Sequence, residues 1–491
     1  QIDRLSNQFA HTFYELGIRK GDHVAVMLPN CPEWIACWFG LAKMGAVLVA
    51  FNNQWKAEGL EYALKQADVQ CCLVAPEFQR ELRKSGEHPE LSKVIFDFGG
   101  GAVEIPGAHA LSSILARASA DEPEGEAPKG SDPLIITYTS GTTGWPKAVV
   151  NPHRAYLAAA EDLRDSVELD ADDIIYTCLP LYHANPQVYC VLTAFVSGGS
   201  IALAERFSAS RFWPDIRLYR ATAFSYVGAV LPILLNQPER EEENGSPAQK
   251  CFGGGAPKEV HEAATRRFGL QVCELYGMSE TGTWNTINRP GMIKIGSVGK
   301  ARESFEVKIF DDQDNEVPPD QVGEIVIRPK KPFIMFNGYY KMPEETLNDY
   351  RNLWFHTGDL GRVDSEGYYY FCGRKKERIR RGGENFTPYE IEKALMDHPA
   401  VAEAAAVGVP DPILGEEIKV YVVLREGHTV EPQDLIECCQ IRLPKFMVPR
   451  YLEFVSHLPK TPSEKVQKVA LKSRGIGSAW DRFAQEGGKS G

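Results

Sequence analysis

Short apolar runs rich in β-branched residues alternate with amphipathic stretches along the first part of the chain. HVAVMLPN (23–30) has the composition of a buried strand, CPEWIACWFGLAKMG (31–45) has the pattern of a helix, and AVLVAFN (46–52) is strand-like again. QADVQCCLVAP (66–76) and KVIFDFG (93–99) repeat this alternation. Such an order of strands and helices predicts parallel sheets that are covered by helices on both faces.

The pattern changes further along the chain. A polar connector, ASADEPEGEAPKGSDP (118–133), separates the first alternating block from a second one that ends at QVCELYG (271–277). From about Gly296 the strands become short, with Asp-rich turns between them, which predicts a small antiparallel or β-barrel-like subdomain. A compact α+β unit follows GRKKERI (373–379). We therefore predict an α/β (multidomain α+β) fold.

Composition excludes several classes of protein. The chain of 491 residues is long enough for two or three domains, and its net charge of −12 argues against non-specific binding to nucleic acid or to an anionic membrane surface. Its 11 cysteines have no zinc-type spacing, which favours free thiols in a reducing cytoplasm. No stretch approaches the ~18–20 apolar residues of a membrane span. Because the chain starts at Gln1, directly inside a helix-like pattern, we expect a missing N-terminal segment and not a signal peptide.

A loop rich in hydroxyl groups and glycine, TYTSGTTGWPK (137–147), has the composition of a phosphate-binding loop. Glycines allow backbone N–H groups to converge on an anion, and Lys147 adds a positive charge. A Walker A loop would need GxxxxGK[ST] followed by a helix, whereas here a proline precedes the lysine and strand-like residues follow it. The alternative, a flexible linker, fits poorly between two apolar strands.

The stretch TYTSGTTGWPKAVV (137–150) resembles the phosphate loop of the adenylate-forming superfamily, which includes acyl-CoA synthetases, firefly luciferases and peptide-synthetase adenylation domains. The likeness runs the length of the chain, and the motifs occur in the family's order. NCPEWIACWFGLAKMGAV (30–47) and FSASRFWPDIRLYRAT (207–222) most resemble bacterial carnitine/crotonobetaine-type and related acyl-CoA ligases. The resemblance implies that a carboxylic acid reacts with Mg-ATP to give an acyl-adenylate, and that the thiol of coenzyme A then displaces AMP.

The resemblance also implies a domain organisation. A large N-terminal domain (1–374) would contain two α/β subdomains and the small β-barrel-like subdomain. A mobile C-terminal domain (377–491) would rotate about a hinge at 375–376, with Lys376 as the hinge residue.

The same resemblance assigns roles to individual residues. Glu280 would ligate Mg²⁺ together with Thr139, Tyr276 would stack on the purine, and Asp359 and Arg374 would hold the ribose. The expected nucleotide-binding residues are Thr139, Ser140, Gly141, Thr142, Thr143, Gly144, Lys147, Gly254, Gly255, Ala256, Pro257, Tyr276, Gly277, Met278, Ser279, Thr281, Asp359 and Arg374.

Lys465, Glu280 and His183 are the expected catalytic residues. Lys465 would bridge the carboxylate and the α-phosphate, and His183 would lie beside the acyl carboxylate, although a core histidine is the alternative for His183. The residues expected to line the coenzyme A tunnel are Gly382, Gly383, Glu384 and Asn385. Arg380 and Arg381 are either coenzyme A phosphate ligands or solvated charges.

The sequence departs from the family pattern at Trp145, Ala148 and Glu464. The position of Trp145 is variable. The methyl group of Ala148 stands where glycine is usual, and it either crowds the loop or costs nothing. Glu464 stands where a small residue normally precedes the catalytic lysine, so it could pair with Lys465 and repel the triphosphate.

The leading hypothesis is therefore a cytoplasmic acyl-CoA synthetase that performs both half-reactions. The alternatives are an acyl-adenylate:CoA ligase that depends on a separate adenylating partner enzyme, a silent acyl- or nucleotide-binding protein, and an adenylation domain that loads a carrier protein in trans. The expected acyl-channel segments contain no lysine or arginine for a second carboxylate, and they are His183–Tyr189, Phe224–Val230, Gly253–Gly255 and Gly282–Thr286. The sequence is also compatible with a homo-oligomer.

Overall fold

The apolar runs of the sequence form the strands of the computed structural model, which describes residues 1–85, 95–97, 109–139, 146–243, 245–381, 384–460 and 466–486. In chain order the strands are β1 (His23–Met27), β2 (Val47–Ala50), β3 (Cys71–Val74), β4 (Ile95–Asp97), β5 (His109–Ala110), β6 (Pro133–Thr139), β7 (Lys147–Pro152), β8 (Ile174–Thr177), β9 (Ser200–Leu203), β10 (Ala223–Val227), β11 (Lys250–Gly254), β12 (Gln271–Tyr276), β13 (Thr286–Ile287), β14 (Lys300–Ala301), β15 (Phe305–Phe310), β16 (Gly323–Pro329), β17 (Gly338–Tyr339), β18 (Tyr350–Arg351), β19 (Trp354–Val363), β20 (Tyr369–Arg374), β21 (Ile379–Arg381), β22 (Glu384–Phe386), β23 (Val401–Asp411), β24 (Gly415–Leu424), β25 (Tyr451–Phe454) and β26 (Trp480–Asp481).

Helices occupy the amphipathic stretches between the strands. The α-helices are α1 (Ile2–Glu15), α2 (Pro32–Met44), α3 (Ala57–Gln66), α4 (Pro76–Lys84), α5 (Leu111–Leu115), α6 (His153–Val167), α7 (Thr193–Ser197), α8 (Phe212–Leu218), α9 (Val230–Leu235), α10 (Lys258–Phe268), α11 (Pro343–Asn348), α12 (Pro388–Met396), α13 (Pro432–Arg442), α14 (Lys468–Lys472) and α15 (Arg482–Glu486). A π-helix covers Pro186–Leu192, and the 3₁₀-helices cover Glu241–Glu243, Ser279–Thr281, Lys375–Glu377 and Lys445–Met447.

The chain divides into two compact units. The first contains Gln1–Val307, Ile327–Phe355 and Gly367–Tyr369, and the second contains Lys308–Val326, His356–Glu366 and the chain from Tyr370 onward. The boundary between the units runs across strands β15, β16, β19 and β20. The hinge at 375–376 stays a prediction.

The first sheet of the first unit has the strand order β17-β7-β6-β2-β1-β3-β4-β5. Strands β6, β2, β1, β3, β4 and β5 are parallel to one another, as the alternating pattern predicts. β7 and β17 are antiparallel additions at one edge. β7 is antiparallel to β6 because the short connection at 140–146 leaves no room for the crossover that a parallel pair requires.

The inner strand β1 shows why its sequence is apolar at every position. Val24 and Val26 belong to one hydrophobic cluster, whereas Ala25 and Met27 belong to another. Successive side chains of a strand point to opposite faces, so both faces of this sheet are covered. The expectation of helices on both faces is thereby confirmed.

The second sheet of the first unit has the strand order β14-β13-β12-β11-β10-β8-β9. Strands β12, β11, β10, β8 and β9 are parallel to one another, and β13 and β14 continue the sheet in antiparallel orientation. The carboxyl ends of parallel strands are where α/β proteins place their ligands. Here β11 and β12 end at the glycine-rich segment and at Tyr276, both of which the sequence predicts to bind the nucleotide.

Two further sheets complete the described chain. A five-stranded sheet has the order β15-β16-β19-β18, with β20 beside β19. In the second unit, a six-stranded sheet has the order β22-β21-β24-β25-β26, with β23 beside β24. The α/β multidomain fold that the sequence predicts is confirmed.

Candidate active site

The predicted phosphate loop connects two strands of the first unit. β6 ends at Thr139 and β7 begins at Lys147, and these two residues are register partners in the antiparallel ladder. The loop therefore begins and ends at neighbouring positions. Five predicted nucleotide-binding residues of this loop lie outside the described residues, namely Ser140, Gly141, Thr142, Thr143 and Gly144.

Ala148, which replaces the family's usual glycine, packs into the core of the first unit. Its side chain is fully buried in a hydrophobic cluster that also contains Met27 and Val49. Its carbonyl oxygen accepts a hydrogen bond from the Tyr340 N–H at 2.9 Å. Since neighbouring side chains of a strand face opposite ways, the methyl group lies on the face opposite that of Lys147. The methyl group is thus accommodated in the hydrophobic core, and its effect on the phosphate loop stays a prediction.

Lys147 belongs to a network of polar side chains within the first unit. Its Nζ lies 3.2 Å from Oδ2 of Asp349 and 4.2 Å from the centroid of the Tyr339 ring. The Tyr339 hydroxyl lies 2.8 Å from Asp349 Oδ2 and 3.1 Å from Glu280 Oε1. A phenol has a single proton, so it donates to only one of these two carboxylates at a time.

Glu280 is the buried end of this network. Its side chain is 4% exposed, and its Oε2 atom is buried without a hydrogen-bond partner among the residues that the structure describes. Burial raises the pKa of Glu280, against the hydrogen bond from Tyr339 and the charge of Lys147. A buried carboxylate oxygen without a donor calls for a ligand. Oxygen donors are what Mg²⁺ prefers, so this atom fits the predicted metal role.

The predicted nucleotide segment at 254–257 requires glycine. Gly255 has φ +99°, and a Cβ added there would lie 2.8 Å from the Cα of Gly228. A Cβ at Gly254 would lie 2.9 Å from the Leu275 carbonyl oxygen. Ala256 is buried, and Pro257 is the N-cap residue of α10. The segment therefore passes close to the backbone of Gly228 on one side and of Leu275 on the other.

Glu274, which the sequence analysis did not assign, anchors this segment. Its Oε1 accepts hydrogen bonds from the N–H groups of Gly255 at 2.6 Å and Ala256 at 3.1 Å, and its Oε2 accepts one from the Tyr226 hydroxyl. The available signal was one acidic residue inside the apolar strand β12, since a buried carboxylate has to find donors.

The predicted adenine motif follows β12. Tyr276 ends this strand, and Gly277 must be glycine because a Cβ there would lie 2.2 Å from the Cα of Trp284. Met278 and Ser279 are half-buried. Thr281 is fully buried, and its hydroxyl bonds the Asn285 side chain and the Met278 carbonyl.

His183, the predicted neighbour of the acyl carboxylate, is half-buried in the turn before the π-helix, with its ring 4.5 Å from that of Tyr182. The π-helix and its N-cap residue, Asn185, donate hydrogen bonds to backbone carbonyls of two other predicted acyl-channel segments. Asn185 donates to the Tyr226 carbonyl at 3.3 Å, and Tyr189 donates to the Thr283 carbonyl at 2.8 Å.

In the second unit, the predicted ribose ligands Asp359 and Arg374 form an ion pair, with Oδ1 and Nε 3.6 Å apart. Buried Glu324 supports this pair, because its carboxylate accepts the N–H of Gly358 at 3.1 Å and binds the ammonium of Lys375 at 2.9 Å. Hydrogen bonds from His356 and Lys375 outweigh burial and lower the pKa of Glu324 to about 2. Glu324 was not predicted from the sequence. Glu324 therefore links Gly358, next to Asp359, with Lys375, next to Lys376. Lys376, the predicted hinge residue, is exposed.

The predicted coenzyme A loop connects β21 and β22, which pair in antiparallel orientation with Arg381 opposite Glu384. Glu384 is exposed, whereas Gly382, Gly383 and the side chain of Asn385 lie outside the described residues. The guanidinium group of Arg381 bonds Glu417 and the Phe446 carbonyl, so Arg381 is committed to the interior of its unit.

Lys465 and Glu464 also lie outside the described residues. The described residues on either side, Lys460 and Val466, form an antiparallel bridge. Across the described ranges, no group of three or more His, Cys, Asp or Glu side chains could hold a metal ion. In the same ranges, no helix has the length and apolar character that crossing a membrane requires.

Two family models match this chain. The model of the AMP-binding enzyme matches residues 1–340, and that of the AMP-binding enzyme C-terminal domain matches residues 390–465. The chain belongs to the AMP-binding enzyme family. The adenylate-forming resemblance is thereby confirmed.

Relatives of this AMP-binding enzyme agree with the motifs. It is 34% identical over 472 residues to a crotonobetaine/carnitine–CoA ligase of Salmonella choleraesuis (strain SC-B67), and the match covers 95% of this chain and 91% of the relative. Its fold is similar to the crystal structure of the anthranilate CoA ligase AuaEII in complex with anthranoyl-AMP, with a TM-score of 0.89, 26% identity and coverage of 96% and 91%. It is equally similar to ATP-bound MatB from Rhodopseudomonas palustris, with a TM-score of 0.88, 27% identity and coverage of 96% and 92%.

These matches confirm that this AMP-binding enzyme is an acyl-CoA ligase, that is, an acid–thiol ligase. ATP, AMP and coenzyme A are the cofactors and substrates that the family supports.

Proposed function

We propose that this enzyme is an AMP-forming acyl-CoA synthetase that catalyses both half-reactions. In the first, an oxygen of the acid's carboxylate attacks the α-phosphorus of ATP, and pyrophosphate leaves. In the second, the sulfur of coenzyme A attacks the acyl carbon, loses its proton, and AMP leaves. The observation that carries this proposal is the buried Oε2 of Glu280, which has no hydrogen-bond partner in the described part of the chain and belongs to the network that contains Lys147.

Glu280 supports a magnesium role because its free oxygen is a hard donor in a buried, acidic setting. One protein carboxylate is enough for Mg²⁺, which otherwise keeps waters and substrate phosphates as ligands. When bound, Mg²⁺ would neutralise charge on the triphosphate. Tyr339 holds the other oxygen of Glu280, which fixes the orientation of the carboxylate. Thr139, at the start of the loop, is the second proposed ligand.

The chain's own cations would supply further stabilisation of the triphosphate. Lys147 stands at the end of the phosphate loop, next in the ladder to Thr139. Preorganised charges and N–H dipoles are usually the largest contribution to phosphoryl-group chemistry. We propose that Lys465 contributes in the same way at the α-phosphate, and that His183 contacts the acid's carboxylate.

The second unit would bind the ribose and coenzyme A. Asp359 would accept the ribose hydroxyls, and Arg374, its ion-pair partner, would hold the same sugar. Rotation about Lys376 would exchange the segment of Lys465 for the β21–β22 loop, so that Gly382, Gly383, Glu384 and Asn385 line the path of coenzyme A.

The acyl group is proposed to come from a monocarboxylic acid, since the predicted acyl-channel segments contain no lysine or arginine for a second carboxylate. Crotonobetaine and carnitine, which name the relative above, are the first acids to test, followed by anthranilate. A cytoplasmic location is proposed because all 11 cysteines are free thiols.

A second candidate function is an acyl-adenylate:CoA ligase without adenylation activity, and Glu464 favours it. At ~4 Å and an effective dielectric of about 20, one contact between unit charges is on the order of 4 kcal/mol. Loss of half of that from the transition state would slow adenylation by more than about tenfold. Lys465 acts only in the first half-reaction, so the second would survive.

One experiment separates the two candidates. Purified enzyme is given a panel of carboxylic acids with ATP, Mg²⁺ and coenzyme A, and pyrophosphate and thioester are measured separately. A parallel reaction supplies preformed acyl-adenylates. Pyrophosphate release that Lys465→Ala abolishes supports the two-step synthetase. The second candidate is supported by three results together. Thioester forms only from the preformed adenylate, Lys465→Ala does not change this reaction, and Glu464→Gly restores adenylation. Absence of both products refutes both.

A further inference from the structure

Glu274 lies beneath the glycine-rich segment that is proposed to receive the nucleotide. Its side chain is 5% exposed, and both oxygens of its carboxylate are engaged. Oε1 accepts the N–H of Gly255 at 2.6 Å, the N–H of Ala256 lies 3.1 Å from Oε1 and 3.2 Å from Oε2, and the Tyr226 hydroxyl bonds Oε2. Three donors from two different strand ends therefore converge on one carboxylate.

This carboxylate has no cationic partner among the residues that the structure describes. Its hydrogen bonds come only from Gly255, Ala256 and Tyr226. A buried charge is costly unless it is paired, so the two N–H dipoles and the phenol carry the whole stabilisation of the ionised form. The charge of Glu274 and the conformation of residues 255 and 256 are thus mutually dependent.

The segment at 255–257 joins the end of β11 to the start of α10. Gly255 is exposed and has φ +99°, a conformation that it reaches because it is glycine. Its Cα approaches the backbone of Gly228 so closely that no side chain would fit. The carboxylate fixes the N–H groups, and because peptide units are planar and trans, it also fixes the direction of the Gly254 and Gly255 carbonyls.

We propose that Glu274 is a positioning residue for the nucleotide: its ionised carboxylate holds the Gly255 and Ala256 N–H groups in the conformation that receives the adenine. Nucleotide affinity then follows the protonation of this one side chain. The inference rests on the proposed function of residues 254–257. The nucleotide itself makes no contact with Glu274 in this proposal.

Titration near neutral pH is consistent with this geometry. Burial raises the pKa of Glu274 to about 7, although the hydrogen bonds from Tyr226, Gly255 and Ala256 lower it. The other titratable groups on the neighbouring elements respond at other pH values. Burial raises the pKa of Tyr226, and it raises that of Cys273 to about 12 and that of Cys251 well above its usual range. Buried His261 of α10, which packs on β12, has its pKa lowered by burial.

AMP binding tests the proposal without knowledge of the acyl substrate. The dissociation constant of AMP is measured by calorimetry from pH 5.5 to 8.5 for the full-length wild-type chain and for Glu274→Gln, Tyr226→Phe and His261→Gln. The glutamine keeps an oxygen for both N–H groups and can donate to the Tyr226 oxygen, but it has no charge. The ratio of the wild-type and Glu274→Gln constants cancels the titration of the AMP phosphate.

We expect wild-type affinity to exceed that of Glu274→Gln about fivefold at pH 8, because charged acceptors bond more strongly, and the two to converge below pH 6. In Tyr226→Phe the midpoint of this change should move to higher pH, because a donor to the anion is lost. In His261→Gln the midpoint of this change should stay where it is in the wild type. Thermal unfolding of each variant checks that it is folded.

Two results overturn the inference. A wild-type to Glu274→Gln ratio that is constant over the pH range, or a midpoint that Tyr226→Phe leaves in place, excludes a role for the charge of Glu274. If the wild type binds no AMP at any pH, the proposed function fails together with the inference. AMP binding by the wild type, with a ratio to Glu274→Gln that stays constant over the pH range, would refute the inference alone.

Discussion

The ammonium group of Lys147 lies 3.2 Å from the carboxylate of Asp349, so the cation proposed to meet the triphosphate is already ion-paired within the protein. The two residues are 202 positions apart in the chain. Both side chains are partly solvated, at 22% and 30% exposure. ATP binding therefore has to exchange a carboxylate for phosphate oxygens at this lysine.

This exchange predicts opposite effects of removing the two partners. Asp349→Asn should tighten Mg-ATP binding about two- to fivefold, because partly exposed ion pairs are worth up to ~1 kcal/mol. Lys147→Met should weaken it by more than about tenfold, because the phosphates lose a charge-assisted hydrogen bond. Calorimetric titration with Mg-ATP, without acid, measures both. Weaker binding by Asp349→Asn would instead assign the carboxylate a direct role in holding the metal or nucleotide.

The free oxygen of Glu280 predicts a specific dependence on Mg²⁺. Glu280→Gln should raise the Mg²⁺ concentration needed for half-maximal pyrophosphate release by more than about tenfold, because a neutral amide is a poor ligand for a hard cation. Tyr339→Phe is the matched control, since it removes a partner of Oε1 and leaves Oε2 in place. We expect a much smaller shift for it. Equal Mg²⁺ curves for Glu280→Gln and wild type would exclude Glu280 as the ligand.

The sequence predicted the strands that lie inside sheets better than it predicted contacts between distant segments. Continuous apolar runs identified β1 to β4, because a strand that is covered on both faces is apolar at every position. The motifs located Lys147 and Glu280. Asp349 could not be predicted, because its place beside Lys147 depends on β17 pairing with β7, a non-local contact with no pattern of its own.

Glu274 and Glu324 were missed for a different reason. Each is the one acidic residue of a mainly apolar strand, and sequence alone does not show which donors will satisfy it. The same limit applied to Ala148, which departs from the family pattern but whose orientation follows from strand register. One residue of shift in that register would have placed its methyl group on the face of Lys147.

The burial of Ala148 predicts the effect of restoring the family's glycine. Ala148→Gly should destabilise the first unit by about 1–2 kcal/mol, because it removes a buried methyl group and adds flexibility to a strand. Adenylation should not improve, because the methyl group is already accommodated in the hydrophobic core. Thermal unfolding and pyrophosphate release are measured together. Faster pyrophosphate release in this variant would show that residue 148 does restrict the loop.

The raised pKa of Glu274 predicts a pH-dependent cost to stability, and its sign follows from proton binding. The native pKa of about 7 lies above the ordinary value of 4.5, so the native state holds this proton more tightly than the unfolded state does. Stability is therefore lost as pH rises from 4.5 to 7, by up to about 3 kcal/mol, and the loss is complete above pH 7.

Glu274→Gln lacks this loss, so its unfolding midpoint should rise relative to wild type between pH 5 and pH 8. Calorimetric scans at both pH values measure the difference. The control is Glu262→Gln, which changes a half-buried glutamate of α10 that pairs with Lys258 and should show no such change. A relative midpoint for Glu274→Gln that stays the same at pH 5 and pH 8 would mean that Glu274 is ionised throughout this range.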